Sequence, residues 1–261
     1  MQITWKGNAS VLLEAAGSRI LFDPFVQLLG GEHPNTLEDF LDEEIIFITH
    51  GHFDHLVFVP EILDQSEATV FCTALPAATL ETLTDNTDRI AQIKPGLEIP
   101  FQKTSGKLII KAWQGQHVHF DRKLVASTIR PLHILRHIRN VPFLLWANLH
   151  FPEGGEILAY EISAEGKHIL LLGSMGLKED VAYPQNVDLL ILPYQGTSRL
   201  TETALQIIER IRPRKIMLTH FDDAFPPMTK TVDTRPLRRE MQQHYPEIAV
   251  IKPTVDKPVR L

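Results

Sequence analysis

The chain has 261 residues, of which 44% are hydrophobic and 22% are charged, proportions that are usual for a globular protein. Its 26 Lys and Arg against 32 Asp and Glu leave a net charge of −6. The chain therefore lacks the surplus of basic residues that would indicate a nucleic-acid-binding surface. No apolar run approaches the roughly 20 residues of a membrane span, and the first ten residues lack the apolar core of a secretory signal. With Cys72 as the single cysteine, an internal disulfide is excluded, and we expect a cytoplasmic protein.

The first half of the chain combines short β-prone runs with two helices. Residues 43–50, EEIIFITH, form a near-continuous apolar run, which is typical of a strand buried on both faces. Helices are predicted around Phe58–Gln65 and from about Ala74. The other predicted strands are residues 1–5, 10–15, 18–24, 68–72, 107–113 and 117–121, the last with His117, His119 and Asp121 on one face.

In the second half, residues 141–151 and 156–163 are interpreted as a β-hairpin joined by PEGG. The run TETALQIIERIRP predicts a helix that Thr201 caps and Pro213 ends. Further strands are predicted at 167–174, 187–196 and 215–221, with a last helix near Thr234–His244. Strand pairs followed by alternating strands and helices favour sheets that are covered by helices, an α/β (α+β) fold.

Four side chains of the kinds that bind metals lie at the end of the buried strand and directly after it, beginning with His50. The motif HGHFDH places His50, His52, Asp54 and His55 within six positions. Imidazole nitrogens and carboxylate oxygens are the usual donors for zinc and related divalent ions. A second segment, IMLTHFDDAF, repeats the order of strand, Thr, His and Asp around His220. Histidines delivered from two strand ends predict one metal site at a shared edge.

With this motif and the segments ITWKGNAS, FDPF, GQHVHFD and LTHFDDAFPP, the chain resembles the metallo-β-lactamase-fold hydrolases. The resemblance points to the branch with ascorbate-6-phosphate lactonase-like proteins and uncharacterised metal-dependent hydrolases. It implies a single domain over residues 1–261, folded as a four-layer αββα sandwich with two metal positions at one edge. The ligand sets that it implies are His50, His52 and His117 for the first metal, and Asp54, His55 and His220 for the second. His119 is the alternative to His117.

One position departs from the family pattern. Most members carry an aspartate in a Gly-Asp turn that bridges the two metals, whereas this chain has LLLGSMG, with Ser174 at that position. A hydroxyl is a poor ligand beside a carboxylate, and one negative charge fewer disfavours two adjacent cations. The site would then hold one metal, recruit Asp222 or Asp223 as a substitute ligand, or bind metal without turnover. We expect one tightly and one weakly bound ion, Zn²⁺ or alternatively Mn²⁺ or another divalent metal.

The function that the resemblance implies is metal-dependent hydrolysis of a small molecule. A divalent metal lowers the pKa of bound water from about 16 to near 7, which gives hydroxide that attacks an ester, lactone or phosphodiester. Asp54 would orient this water and act as general base. A later segment carries Arg130, His133, Arg136 and His137, and a cationic cover over the cleft would suit an anionic substrate. A solvated helix face explains the same charges.

Two other functional classes compete with the hydrolase. A non-catalytic descendant of the fold would serve as a metal-binding or partner-binding module. Ser174 supports this class, whereas the intact HGHFDH motif speaks against it. A redox enzyme would load iron into the same ligands, but it would need an electron-donor module that a chain of this length does not carry as an appended domain. We expect a small-molecule substrate, with neither nucleic acid nor a membrane as partner.

Overall fold

The computed structural model describes residues 1–118, 131–151 and 154–261, which form two mixed β-sheets of seven strands each. The strands of the first sheet are β1 (Gln2–Trp5), β2 (Val11–Ala15), β3 (Ser18–Phe22), β4 (Ile45–Phe47), β5 (Thr69–Cys72), β6 (Ile90–Gln92) and β14 (Val259–Arg260). Those of the second are β7 (Glu98–Lys103), β8 (Gly106–Gln114), β9 (Leu158–Ala164), β10 (Lys167–Leu172), β11 (Leu189–Pro193), β12 (Lys215–Thr219) and β13 (Ala249–Ile251).

The α-helices of the described residues connect or cover these strands. They are α1 (Phe53–Leu56), α2 (Val59–Gln65), α3 (Ala74–Leu80), α4 (Pro131–Arg136), α5 (Val141–His150), α6 (Leu200–Ile211) and α7 (Arg235–His244). Short 3₁₀ turns lie at Leu37–Phe40, Thr87–Arg89 and Ile138–Asn140. No helix within the described ranges has both the length and the apolar character that crossing a membrane requires.

Each sheet changes from antiparallel to parallel pairing along its width. In the first sheet, of order β14–β1–β2–β3–β4–β5–β6, the pairs from β3 to β6 are parallel. In the second sheet, of order β13–β12–β11–β10–β9–β8–β7, the pairs from β10 to β13 are parallel. Because parallel strands end at the same edge, each sheet delivers the loops after several strands to one side of the molecule.

A buried aromatic cluster fills the space between the two sheets. The Tyr160 ring of β9 lies 5.5 Å from the Phe22 ring of β3 and 5.2 Å from the Phe47 ring of β4, measured between centroids. The Tyr160 hydroxyl donates a hydrogen bond of 2.6 Å to the carbonyl of Ile48. The two sheets are therefore joined at the residue that precedes the histidine motif by two positions.

Helices pack on the outer faces of both sheets. On α6, the buried side chains Ala204, Ile208 and Ile211 recur at the three- and four-residue spacing of one helix face and join the core of the second sheet. On the other side, α2 and α5 pack with Ile46 and Val70 of the first sheet. This arrangement confirms the predicted four-layer αββα sandwich.

The predicted hairpin of residues 141–163 is wrong in its first half. Residues 141–150 form α5, with Pro142 in the first turn, where a missing backbone N–H costs little. Leu144 and Ala147 face the core while Leu145 and Leu149 are exposed. Because the helix itself carries apolar side chains on both its buried and its exposed faces, its sequence shows no amphipathic pattern and is as apolar as that of a buried strand.

Two smaller predictions also differ from the structure. Strand β8 ends at Gln114, and His117 lies in the loop that follows, while residues 119–121 of the predicted strand lie outside the described residues. Helix α6 begins at Leu200, so Thr201 does not cap it. Instead, the Thr201 hydroxyl lies in the first turn, 3.0 Å from the Tyr194 hydroxyl.

Candidate metal centre

The HGHFDH motif begins in the extended segment after β4 and continues into α1. The backbone N–H of His55 donates to the carbonyl of His52, at 3.0 Å, and α1 begins at Phe53. Asp54 and His55 therefore lie on one helical turn, whereas His50 still belongs to the extended segment after the strand. The local fold brings the four polar side chains of the motif to one edge because the turn comes directly after a buried parallel strand.

Six side chains meet at this edge in two adjoining groups. In each group the nitrogen or oxygen atoms that would bind a metal all lie within 4.8 Å of one another. The first group consists of His50, His52 and His117, and the second consists of Asp54, His55 and His220. The ring centroids of His50 and His55 are 4.0 Å apart, so the groups are neighbours. The structure thus brings together the residues of both predicted ligand sets.

The Nδ1 atoms of several of these histidines are held by oxygen atoms. Nδ1 of His117 lies 2.6 Å from the carbonyl of Val118, and Nδ1 of His220 lies 3.0 Å from the side-chain oxygen of Gln195. Because both oxygens only accept, the two rings donate from Nδ1, which leaves Nε2 as the atom that would bind a metal. In a metal-binding histidine, this second hydrogen bond sets the tautomer and orients the ring.

A buried carboxylate supports the motif from behind. Asp23 follows β3, has a φ of 47° and lies 2% exposed. One oxygen accepts the backbone N–H of Thr49 at 2.8 Å, and the other accepts the Thr49 hydroxyl at 2.8 Å and lies 3.0 Å from Nδ1 of His55. The FDP segment is therefore the buttress of the histidine loop.

The electrostatics of the first group leave two of its imidazoles, those of His50 and His52, neutral. Burial, reinforced by His55 and His52, lowers the pKa of His50 well below its ordinary value. Burial likewise lowers the pKa of His52 to about 4. A neutral imidazole offers a lone pair to a cation without first losing a proton.

The second group is charged. Burial opposes ionisation of Asp54, but His55 and His220 outweigh it and hold the pKa of the Asp54 carboxyl well below its ordinary range. Burial would lower the pKa of His55, but Asp23 and Asp54 raise it. The Asp54 carboxylate lies 3.1 Å from Nε2 of His220. This group therefore supplies the negative charge of the centre.

The hydrogen bonding of one buried atom indicates whether these residues fit a metal. Nε2 of His50 is buried and has no hydrogen-bond partner among the described residues, although buried polar atoms are nearly always paired. It belongs to a group of three imidazoles, two of them with pKa values lowered into the neutral form. Three nitrogen donors are the protein share of many catalytic zinc sites. The donor set thus fits a divalent cation.

Ser174 lies beside the first group. It follows β10, it is buried, and its hydroxyl accepts the backbone N–H of Val118 at 3.1 Å. The neighbouring Gly173 packs against Thr49, because a Cβ there would lie 2.5 Å from the Thr49 Cβ. The turn that carries Ser174 therefore contacts both segments that supply the first group, at Thr49 beside His50 and at Val118 beside His117.

Neither predicted substitute carboxylate belongs to the two groups. Asp222 is fully buried and accepts the side-chain N–H of Gln27 at 2.6 Å and the backbone N–H of Asn8 at 3.1 Å. Asp223 accepts the hydroxyl of Thr229 at 2.7 Å. Both carboxylates are thus held by other partners, and neither is part of the two groups.

The predicted cationic cover is described in part. His133 and Arg136 lie on α4, and His137 follows it. The His133 and His137 rings are 4.8 Å apart, and His137 packs on Gly30, where a Cβ would lie 2.8 Å from its Cε1. Two further predicted site residues, His119 and Arg130, lie outside the described residues.

Three residues that contact the site side chains are not among the predicted site residues. Thr49 lies at 2.9 Å from Nδ1 of His50, Gln195 orients His220, and the side-chain N–H of Asn8 donates to the carbonyl of Asp54 at 3.0 Å. Thr49 and Gln195 each directly follow or closely follow a strand end, which is the one pattern that could have indicated them. Asn8 sits beside a glycine between two short strands and is typical of a plain turn.

Comparisons with known proteins show the family of the chain. The sequence profile of a family described as "Beta-lactamase superfamily domain" matches residues 18–221. The chain belongs to this superfamily. A "UPF0173 metal-dependent hydrolase" from Ligilactobacillus salivarius is 26% identical over 265 residues and covers 100% of both chains.

Solved structures share the fold of this superfamily member at low sequence identity. The metallo hydrolase Igni18 from Ignicoccus hospitalis superposes with a TM-score of 0.64 at 18% identity, covering 100% of this chain and 98% of its own. An isothiocyanate hydrolase from Delia radicum gut bacteria gives a TM-score of 0.60 at 16% identity, covering 100% and 99%. These likenesses support the sandwich fold.

Proposed function

We propose that the chain is a metal-dependent hydrolase that acts on a small anionic ester, lactone or phosphodiester. The observation that carries the proposal is the buried Nε2 of His50, which has no hydrogen-bond partner in the part of the chain that the structure describes and lies next to two further imidazoles and the Asp54 group. The relative from Ligilactobacillus salivarius, which spans the whole chain, is named a metal-dependent hydrolase. We favour hydrolysis over the non-catalytic class because both donor groups are complete.

The ligands in this proposal are the two groups of side chains described above. His50, His52 and His117 would hold the tightly bound ion, and Asp54, His55 and His220 the weaker one. A divalent ion there supplies Lewis acidity, lowering the pKa of water and polarising the oxygen that gains charge during hydrolysis. Zn²⁺ suits nitrogen-rich donors best, and Mn²⁺ is the alternative.

Two residues of the chain have proposed roles in the chemistry beyond binding. Asp54 is ionised and lies between the side-chain N–H of Asn8 and Nε2 of His220, so its carboxylate is oriented to accept a proton from water. Nδ1 of His220 donates to Gln195, which orients the ring and leaves Nε2 as the atom that would bind the metal. Both positions are set before substrate arrives, which lowers the reorganisation that the reaction requires.

The number of ions follows from the charges. The two groups contain five imidazoles and a single carboxylate, which balances little of the charge of two adjacent divalent cations. Ser174 adds no charge at the position where most family members have a carboxylate. This is why we propose one tight and one weak ion.

The substrate class rests on the cations of α4 and the residues after it. Arg136 and Arg139 are exposed, and the described segment 131–151 contains no Asp or Glu. A guanidinium suits a phosphate or carboxylate because it presents paired donors. A reducing, cytoplasmic location completes the proposal, and the lone, buried Cys72 supports it.

Metal analysis and a substrate screen test the proposal together. The purified protein is analysed by mass spectrometry for bound metals, and chromogenic phosphodiesters and lactones are then tested with and without a chelator. We expect bound metal and hydrolysis that the chelator abolishes. A protein that neither carries nor takes up a divalent metal would overturn the proposal. Stoichiometric metal without any hydrolysis would favour the non-catalytic module, which the absence of a bridging carboxylate at Ser174 supports.

A further inference from the structure

Asn8 lies in the turn between β1 and β2 and joins two parts of the site. It is fully buried, with a φ of 47°. Its side-chain N–H group lies 3.0 Å from the carbonyl and 3.3 Å from the carboxylate of Asp54. Its own carbonyl accepts the backbone N–H of His220 at 2.8 Å. A single residue thus holds the helical turn that carries Asp54 and the strand end that carries His220.

The conformation of Asn8 exceeds what a simple turn requires. Eight described non-glycine residues have positive φ, and three of them, Asn8, Asp23 and His220, lie in or against the donor groups. Residues in such conformations cluster at functional sites, where the surrounding structure maintains the strain. A glycine would adopt the same backbone at no steric cost. The side chain of Asn8 therefore needs an explanation of its own.

The hydrogen bonds of the amide give that explanation. Its N–H end points at Asp54, whereas its oxygen is buried without a partner among the residues that the structure describes. Leaving a buried acceptor unpaired costs free energy. The donor end is thus the part of the amide that the fold uses.

We propose that Asn8 is a positioning residue of the metal centre, which orients the Asp54 carboxylate toward His220 and so raises the affinity of the second group for a divalent cation. The inference rests on the proposed function, because it requires that this group binds metal. Outer-shell partners of this kind typically change metal affinity by about 10- to 100-fold when they are removed.

The test uses two substitutions that both remove the N–H donor. Asn8→Gly keeps the left-handed backbone and removes the amide, so we expect zinc to bind the second group about 10- to 100-fold more weakly. The rise in melting temperature on adding Zn²⁺ should then be smaller than in the parent protein. Asn8→Asp keeps the size of the side chain but replaces the donor by an acceptor beside Asp54, so its zinc affinity and its zinc-induced rise should also be smaller than those of the parent. Asn186→Gly is the matched control, because Asn186 has a φ of 56° and lies exposed, far along the chain.

The outcomes separate this inference from the proposed function. If the parent protein shows neither binding of Zn²⁺ or Mn²⁺ by calorimetry nor a shift in melting temperature with either ion, the proposed function itself fails. If the parent binds metal and both Asn8 variants behave like Asn186→Gly, or Asn8→Asp binds it more tightly than the parent, the positioning role is overturned while the metal centre stands. If Asn8→Gly does not fold, the weaker zinc binding expected for Asn8→Asp still decides.

Discussion

The carboxylate of Asp23 lies 3.0 Å from Nδ1 of His55, and both groups are 2% exposed. The same carboxylate accepts both hydrogen bonds that Thr49 donates toward it. A residue at the end of β3 therefore fixes the ring of a candidate ligand on α1, and through Thr49 it also fixes the segment that carries His50. Ligand geometry in this protein depends on a residue that would not touch the metal.

Asp23→Asn should weaken metal binding without unfolding the protein. Asparagine tolerates the positive φ of this position, and its oxygen can still accept the N–H of Thr49. Its NH₂ group would face the N–H of His55, so we expect zinc affinity to fall about 10- to 100-fold in a calorimetric titration. Asp256→Asn is the control, because Asp256 has a φ of 59° and pairs with Lys6 at the surface. Equal affinities in the two variants would contradict the buttress role.

His52→Ala should remove bound metal and leave the fold intact. His52 precedes α1 but makes no side-chain capping hydrogen bond, so its loss leaves the helix end as it is. The tri-histidine group would lose one of three donors, and we expect most of the bound metal and all hydrolysis to disappear while the circular dichroism spectrum stays that of the parent. His244→Ala, at an exposed position on α7, is the control. Metal content equal to that of the parent would rule His52 out as a ligand.

Ser174→Asp should raise the occupancy of the second metal position. The Ser174 hydroxyl already accepts the N–H of Val118, and a carboxylate can do the same. In the absence of metal, the new buried charge is costly, so the metal-free variant should melt at a lower temperature than the parent. With excess zinc, it should bind closer to two ions per chain, measured by mass spectrometry after desalting. Ser174→Asn provides the uncharged control, and an unchanged stoichiometry in Ser174→Asp would place residue 174 outside the centre.

Much of the fold could be predicted because local pattern and tertiary environment agree. Strands β1 to β5 and β10 to β12 are buried, and their apolar runs mark them directly. Helix α6 buries one face and shows a helical spacing of Ile208 and Ile211. Helix α5 was missed because its apolar side chains point both into the core and outward, so neither period dominates.

The site residues also fall into two sets, those that the sequence pattern indicates and those that only the tertiary fold brings to the site. His50, His52, Asp54 and His55 are adjacent in sequence, so their spacing alone indicates a metal site. Asn8 contacts Asp54 across 46 positions of the chain, and Gln195 contacts His220 across 25. Such partners are chosen by the tertiary fold, and a single sequence contains no periodicity that would reveal them.

Cys72 should be unreactive in the folded protein and should make stability fall at high pH. Burial, with a contribution from Glu81, raises the pKa of the thiol from 9.0 to about 12. Ellman's reagent at pH 8 should therefore react only after unfolding in denaturant.

Because the pKa of the Cys72 thiol is higher in the folded than in the unfolded protein, the thiol ionises first in the unfolded chain. Its stabilising contribution is complete below about pH 9 and is lost as the pH rises toward 12. Denaturant titrations at about pH 8 and pH 10 should show a larger loss of unfolding free energy for the parent than for Cys72→Ala. The other groups that ionise in this range, including Tyr160, are common to both proteins, so parallel losses would show that the Cys72 thiol is accessible to solvent.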